Sequence, residues 1–335
     1  MLNFIKKIKG AVIQFLFLAM ALVFILATSF RTLASVDSGL DALNHHEFAK
    51  AEKIFDEQAN KGDAHAMYWL GNTYQLEGGM KRLDAGRILL KAAKMGDPWA
   101  MYRLYTKNPY SLCTVWPCDS KWDGKAAAIW EKQSKEGNGK ATFALALRKE
   151  RTFWYNVMKW LPGMGQEKLN KMALKAFHQG YLGASYYIAN HSTPHDFKYI
   201  IQAAGAGFIP AYRVLTIHYK KIVNIKLAEK YQEKALQSGE TDFISLLFHE
   251  HMQGALGYSK NPEKAYYYGK IASLYGEDVS GFFRADKTSK DFSLSTKVAK
   301  DKQIIFTQKA KEFVRTHPPY HYYDEFSFPF YAMRF

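Results

Sequence analysis

Ala59-Asn60-Lys61-Gly62-Asp63-Ala64-His65-Ala66-Met67-Tyr68-Trp69-Leu70-Gly71 is the stretch that decides how this chain folds. Leading into it, Phe48 to Asn60 sets Phe48, Ala51, Ile54, Phe55 and Ala59 at helical spacing, with charged residues between them. Gly62 supplies the left-handed conformation that ends a helix, and Asp63 is placed to cap the next one through its carboxylate. Ala66, Met67, Trp69 and Leu70 then form a second apolar stripe, and Gly71 permits close packing before Tyr74. The pattern returns at Ala92-Ala93-Lys94-Met95-Gly96-Asp97, with Pro98 at the first helical position and Ala100, Met101 and Leu104 behind it. Helix-ending glycines follow at Gly137, Gly180, Gly207, Gly239 and Gly276, separated like the first two by 27 to 43 residues. Ala141, Ala184 and Ala211 stand four residues after the first three of these, and Phe243 and Ser280 fill that slot in the last two. A quasi-period of this size predicts stacked helical hairpins, each apolar on two faces and stable only against its neighbours.

The phrase A-x-x-G-D-x-x-A-x-x-x-L-G at Ala59–Gly71 resembles the Sel-one-like repeat, a relative of the tetratricopeptide repeat. A shorter form surrounds Gly96, and degenerate forms surround the later glycines, so the resemblance covers roughly residues 40–285. The family's closing Gly-x-Gly element survives only as Gly78-Gly79-Met80-Lys81-Arg82-Leu83-Asp84. The resemblance implies an all-α, right-handed α-solenoid of about six to seven hairpins that binds other proteins and carries no enzymatic chemistry. We place the array at 38–285, with insertions at 106–122 and 150–165. Residues 286–335 are read as a final helix, at about 291–315, and an aromatic tail that caps the last hairpin.

The first 30 residues carry the address. Ala11 to Phe30 holds no charge, and twenty helical residues at 1.5 Å each span a hydrocarbon core of about 30 Å. Lys6, Lys7 and Lys9 in the 1–10 segment keep that end cytoplasmic, which sends everything after Arg31 out. The run is longer than a signal-peptide core, which favours a retained anchor at 11–30, although Thr32-Leu33-Ala34 leaves a cut before Ser35 open. The expected location is therefore the bacterial inner membrane, with the repeats in the periplasm. The net charge of +15 favours an anionic partner, and export makes nucleic acid an unsuitable one.

Cys113 and Cys118 are the only cysteines, with four residues between them, Pro117 among these. In an oxidising compartment they read as a structural disulfide; a redox pair is usually Cys-x-x-Cys, and a zinc site lacks its second pair of ligands. His249-Glu250-His251 is the tightest His/acid cluster, but positions i and i+2 of a helix point about 200° apart and cannot share one metal. It reads as a solvated helix face. No phosphate loop, nucleophile elbow or Cys/His pair is present, so no catalytic, cofactor or metal residue is assigned.

Aromatic residues are the candidate contacts. Phe153, Trp154, Tyr155 and Trp160 lie in the second insertion, which the repeat does not need for stacking. Tyr266, Tyr267 and Tyr268 are consecutive on one helix and cannot all face inward. The expected function is binding of an envelope protein. Exported members of the resembled family include immunity proteins against phospholipase toxins of type VI secretion, which is the leading expectation; an adaptor for envelope assembly is the alternative.

Overall fold

The computed structural model describes residues 36–108, 111–150, 157, 165–192, 196–283 and 293–327; their regular elements are α-helices and one 3-10 turn at Ser280–Phe282, with no strand among them. The expected membrane segment at 11–30 and the rings of Phe153, Trp154, Tyr155 and Trp160 lie outside the described residues. Among the described residues, no helix is long and apolar enough to cross a membrane. The chain divides into two compact units, one holding Glu47–Trp122 with the preceding residues to Leu43, the other holding Asn44–His46 and Asp123–Phe335.

In the first unit, helices Phe48–Asn60 and Ala64–Glu77 form one hairpin, and Lys81–Lys94 and Pro98–Arg103 form the next. Their turns are built alike. Gly62 and Gly96 have φ of 95° and 104°, and the aspartates after them cap the following helices, Asp63 to His65 and Ala66 and Asp97 to Ala100. Phe55, Trp69 and Leu89 are fully or almost fully buried between the helices. The first insertion belongs to this packing. Cys113 and Cys118 are disulfide-bonded, with Cα atoms 5.4 Å apart, and Trp116 between them lies against Gly86. A Cβ on Gly86 would stand 2.4 Å from that indole, whose N–H donates to the Arg82 carbonyl at 3.1 Å. Arg103 is buried beneath, its guanidinium 5.0 Å from the Trp116 ring, and desolvation lowers its pKa to about 10.

The second unit is also built of hairpins. Lys121–Lys135, which belongs to this unit from Asp123 onward, precedes Gly139–Glu150, Gln166–His178 precedes Ala184–His191, and Lys198–Gly205 precedes Pro210–Lys221. Ile225–Gln237 then pairs with Thr241–Gln253, and Pro262–Leu274 follows. The turn glycines Gly137, Gly180, Gly207, Gly239 and Gly276 all have positive φ, between 68° and 96°. The end of the unit differs from the expectation. Instead of one helix over 291–315, a single turn at Leu294–Lys297 breaks at the extended Val298 and Ala299, and the long helix runs Lys300–Thr316. Phe306, Phe313 and Val314 from this helix pack on the core of Phe248, Tyr266 and Ile271, so the helix caps the last hairpin and leaves the tail free to go elsewhere.

Candidate functional site

The tail runs back along the glycine turns of the second unit, meeting them in reverse chain order. Near Gly276, the Tyr275 hydroxyl donates to the His317 carbonyl at 2.6 Å. At the next turn Gly239 is required by space: a Cβ there would meet the Pro318 carbonyl oxygen at 2.0 Å. That approach lets Tyr320 pair with the backbone, its N–H donating to Gly239 and its carbonyl accepting from Thr241, both at 2.9 Å. Tyr322 then meets Phe208, next to Gly207, edge-on at 5.1 Å. Asp324 accepts from the Tyr181 hydroxyl, next to Gly180, at 2.8 Å. Tyr320, Tyr322 and Asp324 thus face the turns at a period of two, as an extended chain requires. A turn closed by Ser327 N–H on the Asp324 carbonyl follows, and it drops Phe326 between Phe143 and Tyr181, fully buried. Glu325 pairs with Lys140 at 2.6 Å, close behind Gly137.

Alternate residues are held from the other side. His321 donates its N–H to the Asn44 carbonyl at 2.7 Å, and Tyr323 donates its N–H to the Asn44 side chain at 2.9 Å. The His321 imidazole lies 3.4 Å from Asp242, and its ring centroid lies 6.3 Å from that of His46. Beneath this stretch Arg213 bridges Glu240 and Asp242, at 3.2 and 3.5 Å. Burial raises the Glu240 carboxyl to about 8, against the pull of Arg213, and burial with the adjacent Glu325 raises Asp324 to about 6. Burial, and then His321, lowers His46. The arrangement holds the chain's own tail in extended form through backbone pairing, ring pockets and two buried acid sites, and it sets the Thr241 hydroxyl 3.3 Å from the His321 imidazole.

Other expected positions fall as follows. Tyr266 is buried against Phe283, and Tyr267 and Tyr268 are half-buried, so the run is largely packing, with Tyr268 stacked on His251. The His-Glu-His cluster is not a solvated face. Glu250 and His251 are buried, His251 lies 3.1 Å from the Ser259 carbonyl, and burial lowers its pKa. The physical reason is the loop after Gly254, which folds Tyr258 over the imidazole. Among the described residues no group of three His, Cys, Asp or Glu side chains could hold a metal ion. The residues missed in sequence are Tyr181, Phe208, Arg213 and Lys140. Tyr181 and Phe208 each follow a turn glycine directly, where an aromatic residue replaces the aspartate of the first two units.

No family model and no curated protein matches the chain. Among solved structures, it is similar to a protective antigen of uropathogenic Escherichia coli displaying an SLR fold, at 14% identity and a TM-score of 0.42. That likeness covers 84% of this chain and 62% of the antigen, so the chain spans less than two thirds of that protein's length. A Sel1 repeat protein from Oxalobacter formigenes is similar at 17% identity and a TM-score of 0.41, over 71% of this chain and 99% of that one.

Proposed function

We propose that this chain is an exported, membrane-anchored scaffold that binds an envelope protein, and that it serves as an immunity protein neutralising a type VI secretion phospholipase toxin by stoichiometric binding. The observation that carries the binding part is the row of glycine turns in the second unit. It holds residues 318–327 in extended form through backbone bonds at Gly239 and Thr241 and through ring and acid sites at Phe208, Tyr181 and Lys140. Such a surface supports recognition of a polypeptide better than turnover of a small molecule. The apolar run Ala11–Phe30 and the cysteine pair support the envelope location. Phe153, Trp154, Tyr155 and Trp160 are the proposed partner contacts, with the exposed edges of Tyr267 and Tyr268 second to them.

The test is capture of a lipase toxin encoded beside this chain's gene, with titration of its activity. Inhibition complete near equimolar protein supports the immunity reading. Protection at far lower protein than toxin overturns binding in favour of catalysis, and no interaction with the neighbouring toxin leaves the envelope-adaptor reading.

A further inference from the structure

The turn between Pro210–Lys221 and Ile225–Gln237 has the hydrogen bonds of a glycine turn with no glycine in it. Val223 N–H donates to the Lys220 carbonyl at 3.1 Å and Asn224 N–H to the Tyr219 carbonyl at 2.8 Å. The Asn224 side chain caps Leu227 at 3.2 Å. Gly137-Asn138 does the same with Ser134, Gln133 and Ala141. Gly137 has φ of 93° and Val223 has φ of 59°, a region that β-branched residues strongly avoid. The other non-glycine residues at positive φ among the described ones, His46 and Leu256, are half-buried. Val223 is 75% exposed, between Ile222 at 57% and Ile225 at 52%. One short turn therefore combines a disfavoured backbone with three aliphatic side chains in water. Neither feature helps the fold, and inference from such an outlier runs toward function.

The charge around the tip says what would cover it. Ile217 to Ala228 contains Lys220, Lys221 and Lys226 and no acid. Lys220 is engaged over Tyr258 at 3.7 Å, while Lys221 and Lys226 are exposed on either side of the aliphatic residues. Within this unit the tip stands at the far end of two helices whose other ends adjoin the tail near Phe208 and Gly239, about 18 Å away for twelve helical residues. It is thus separate from the polypeptide-binding turns.

We infer that residues 221–226 form a membrane-contact tip, in which Ile222, Val223 and Ile225 enter the interfacial layer of an anionic bilayer and Lys221 and Lys226 meet its phosphates. A lipid surface fits better than a protein. Protein hot spots favour Trp, Tyr and Arg, and a stable protein interface buries roughly 800 Å² on each side, which three aliphatic side chains do not supply. An anionic interface instead accepts small apolar groups flanked by lysines, whose charges its surface potential attracts.

The test places the full chain in phosphatidylcholine vesicles with or without phosphatidylglycerol and follows amide exchange. Because the apolar N-terminal run is present in both, any difference between the two belongs to the lipid charge. The 221–226 amides should slow at least about tenfold with phosphatidylglycerol, the factor that ~1.4 kcal/mol produces. Exchange in the rest of the two flanking helices, 210–220 and 227–237, should be the same in both lipids. Ile222→Ser, Val223→Asn and Ile225→Ser together keep a turn that Asn tolerates and should abolish the protection, as should Lys221→Glu with Lys226→Glu. Equal exchange in both lipids, or protection surviving the triple substitution, overturns the proposal. Protection produced by soluble polyglutamate without lipid overturns it in favour of an acidic protein. Since toxin capture is measured without vesicles, neither result depends on the other.

Discussion

Val223 and Gly239 hold positive φ at opposite ends of one helix, 59° and 68°, and the reasons differ. At Gly239 the backbone of the tail lies where a Cβ would be, so Gly239→Ala adds a clash with Pro318 to the cost of the left-handed region. At Gly62 nothing lies within 4 Å of a built Cβ, and Gly62→Ala carries only the conformational cost of about 1–2 kcal/mol. The melting loss should therefore be clearly larger for Gly239→Ala, and equal losses would mean the tail yields freely. Val223 predicts the reverse sign. The left-handed region costs it about 1–2 kcal/mol, against about 0.5–1 kcal/mol of chain entropy for glycine. Val223→Gly should stabilise the protein by up to about 1 kcal/mol in a denaturant titration, and a clear loss would show that the valine serves the fold. Asp324 sets a pH dependence. Its folded pKa of about 6 lies above the ordinary 3.8, so the protonated form is favoured by folding. That contribution is full below 3.8 and is lost as pH rises through about 6. Glu240, raised from 4.5 to about 8, acts in the same direction, while His46, lowered from 6.5, opposes it in acid. Subtracting the profile of Asp324→Asn isolates one group: the variant should gain on the parent between pH 3.8 and about 6, and a constant difference would put Asp324 outside the linkage.

Among the elements, the tail is the one whose place could not be read from its residues. The hairpins were legible because glycine at a helix end has a local cause, the left-handed turn, and that cause recurs along the chain. Tyr320 to Phe326 has no such cause. Its aromatic and acidic residues suit a cap on the last hairpin as well as a strand along the turns. What settles the matter is long-range, since Asn44, Lys140 and Tyr181 meet it from far up the chain. The cap itself comes from Lys300–Thr316, which claims the apolar face first. Similarly, burial of His251 depends on Tyr258 in the next loop, which helical spacing around Glu250 does not encode. The one local clue was the aromatic residue directly after Gly180 and Gly207, where the first two units have aspartate. The tail's attachment is testable through Phe326, which is fully buried between Phe143 and Tyr181. Phe326→Ala should remove about 3–5 kcal/mol of local packing. The Thr241 amide, bonded to Tyr320, should then exchange much faster while the helix cores keep their rates. Unchanged protection at Thr241 would mean that Tyr320 is held without the Phe326 anchor.

At the scale of the whole molecule, the expected address and the expected binding mode can be tested together through the first insertion and the second. The Cys113–Cys118 bridge closes the loop that holds Trp116 against Gly86. A short loop of this kind stabilises by a few kcal/mol at most, on the order of 2–3. If the repeats are exported, protein taken from cells under thiol-blocking conditions carries both sulfurs oxidised, and a reporter fused after Phe335 that works only in the cytoplasm stays silent. Free thiols would contradict export regardless of the fold. The proposed partner contact is tested with Trp154→Ala and Trp160→Ala. A protein that works by contact should lose capture of its toxin with unchanged helical content and melting, and the loss should appear as faster dissociation, because removing anchor rings acts mainly on the off-rate. A double variant that unfolds makes those rings part of the core. One that folds and binds fully moves the contact to the turn row, where weakening the tail through Phe326→Ala would then raise affinity by vacating the surface. Retained binding with no response to Phe326 would exclude both surfaces.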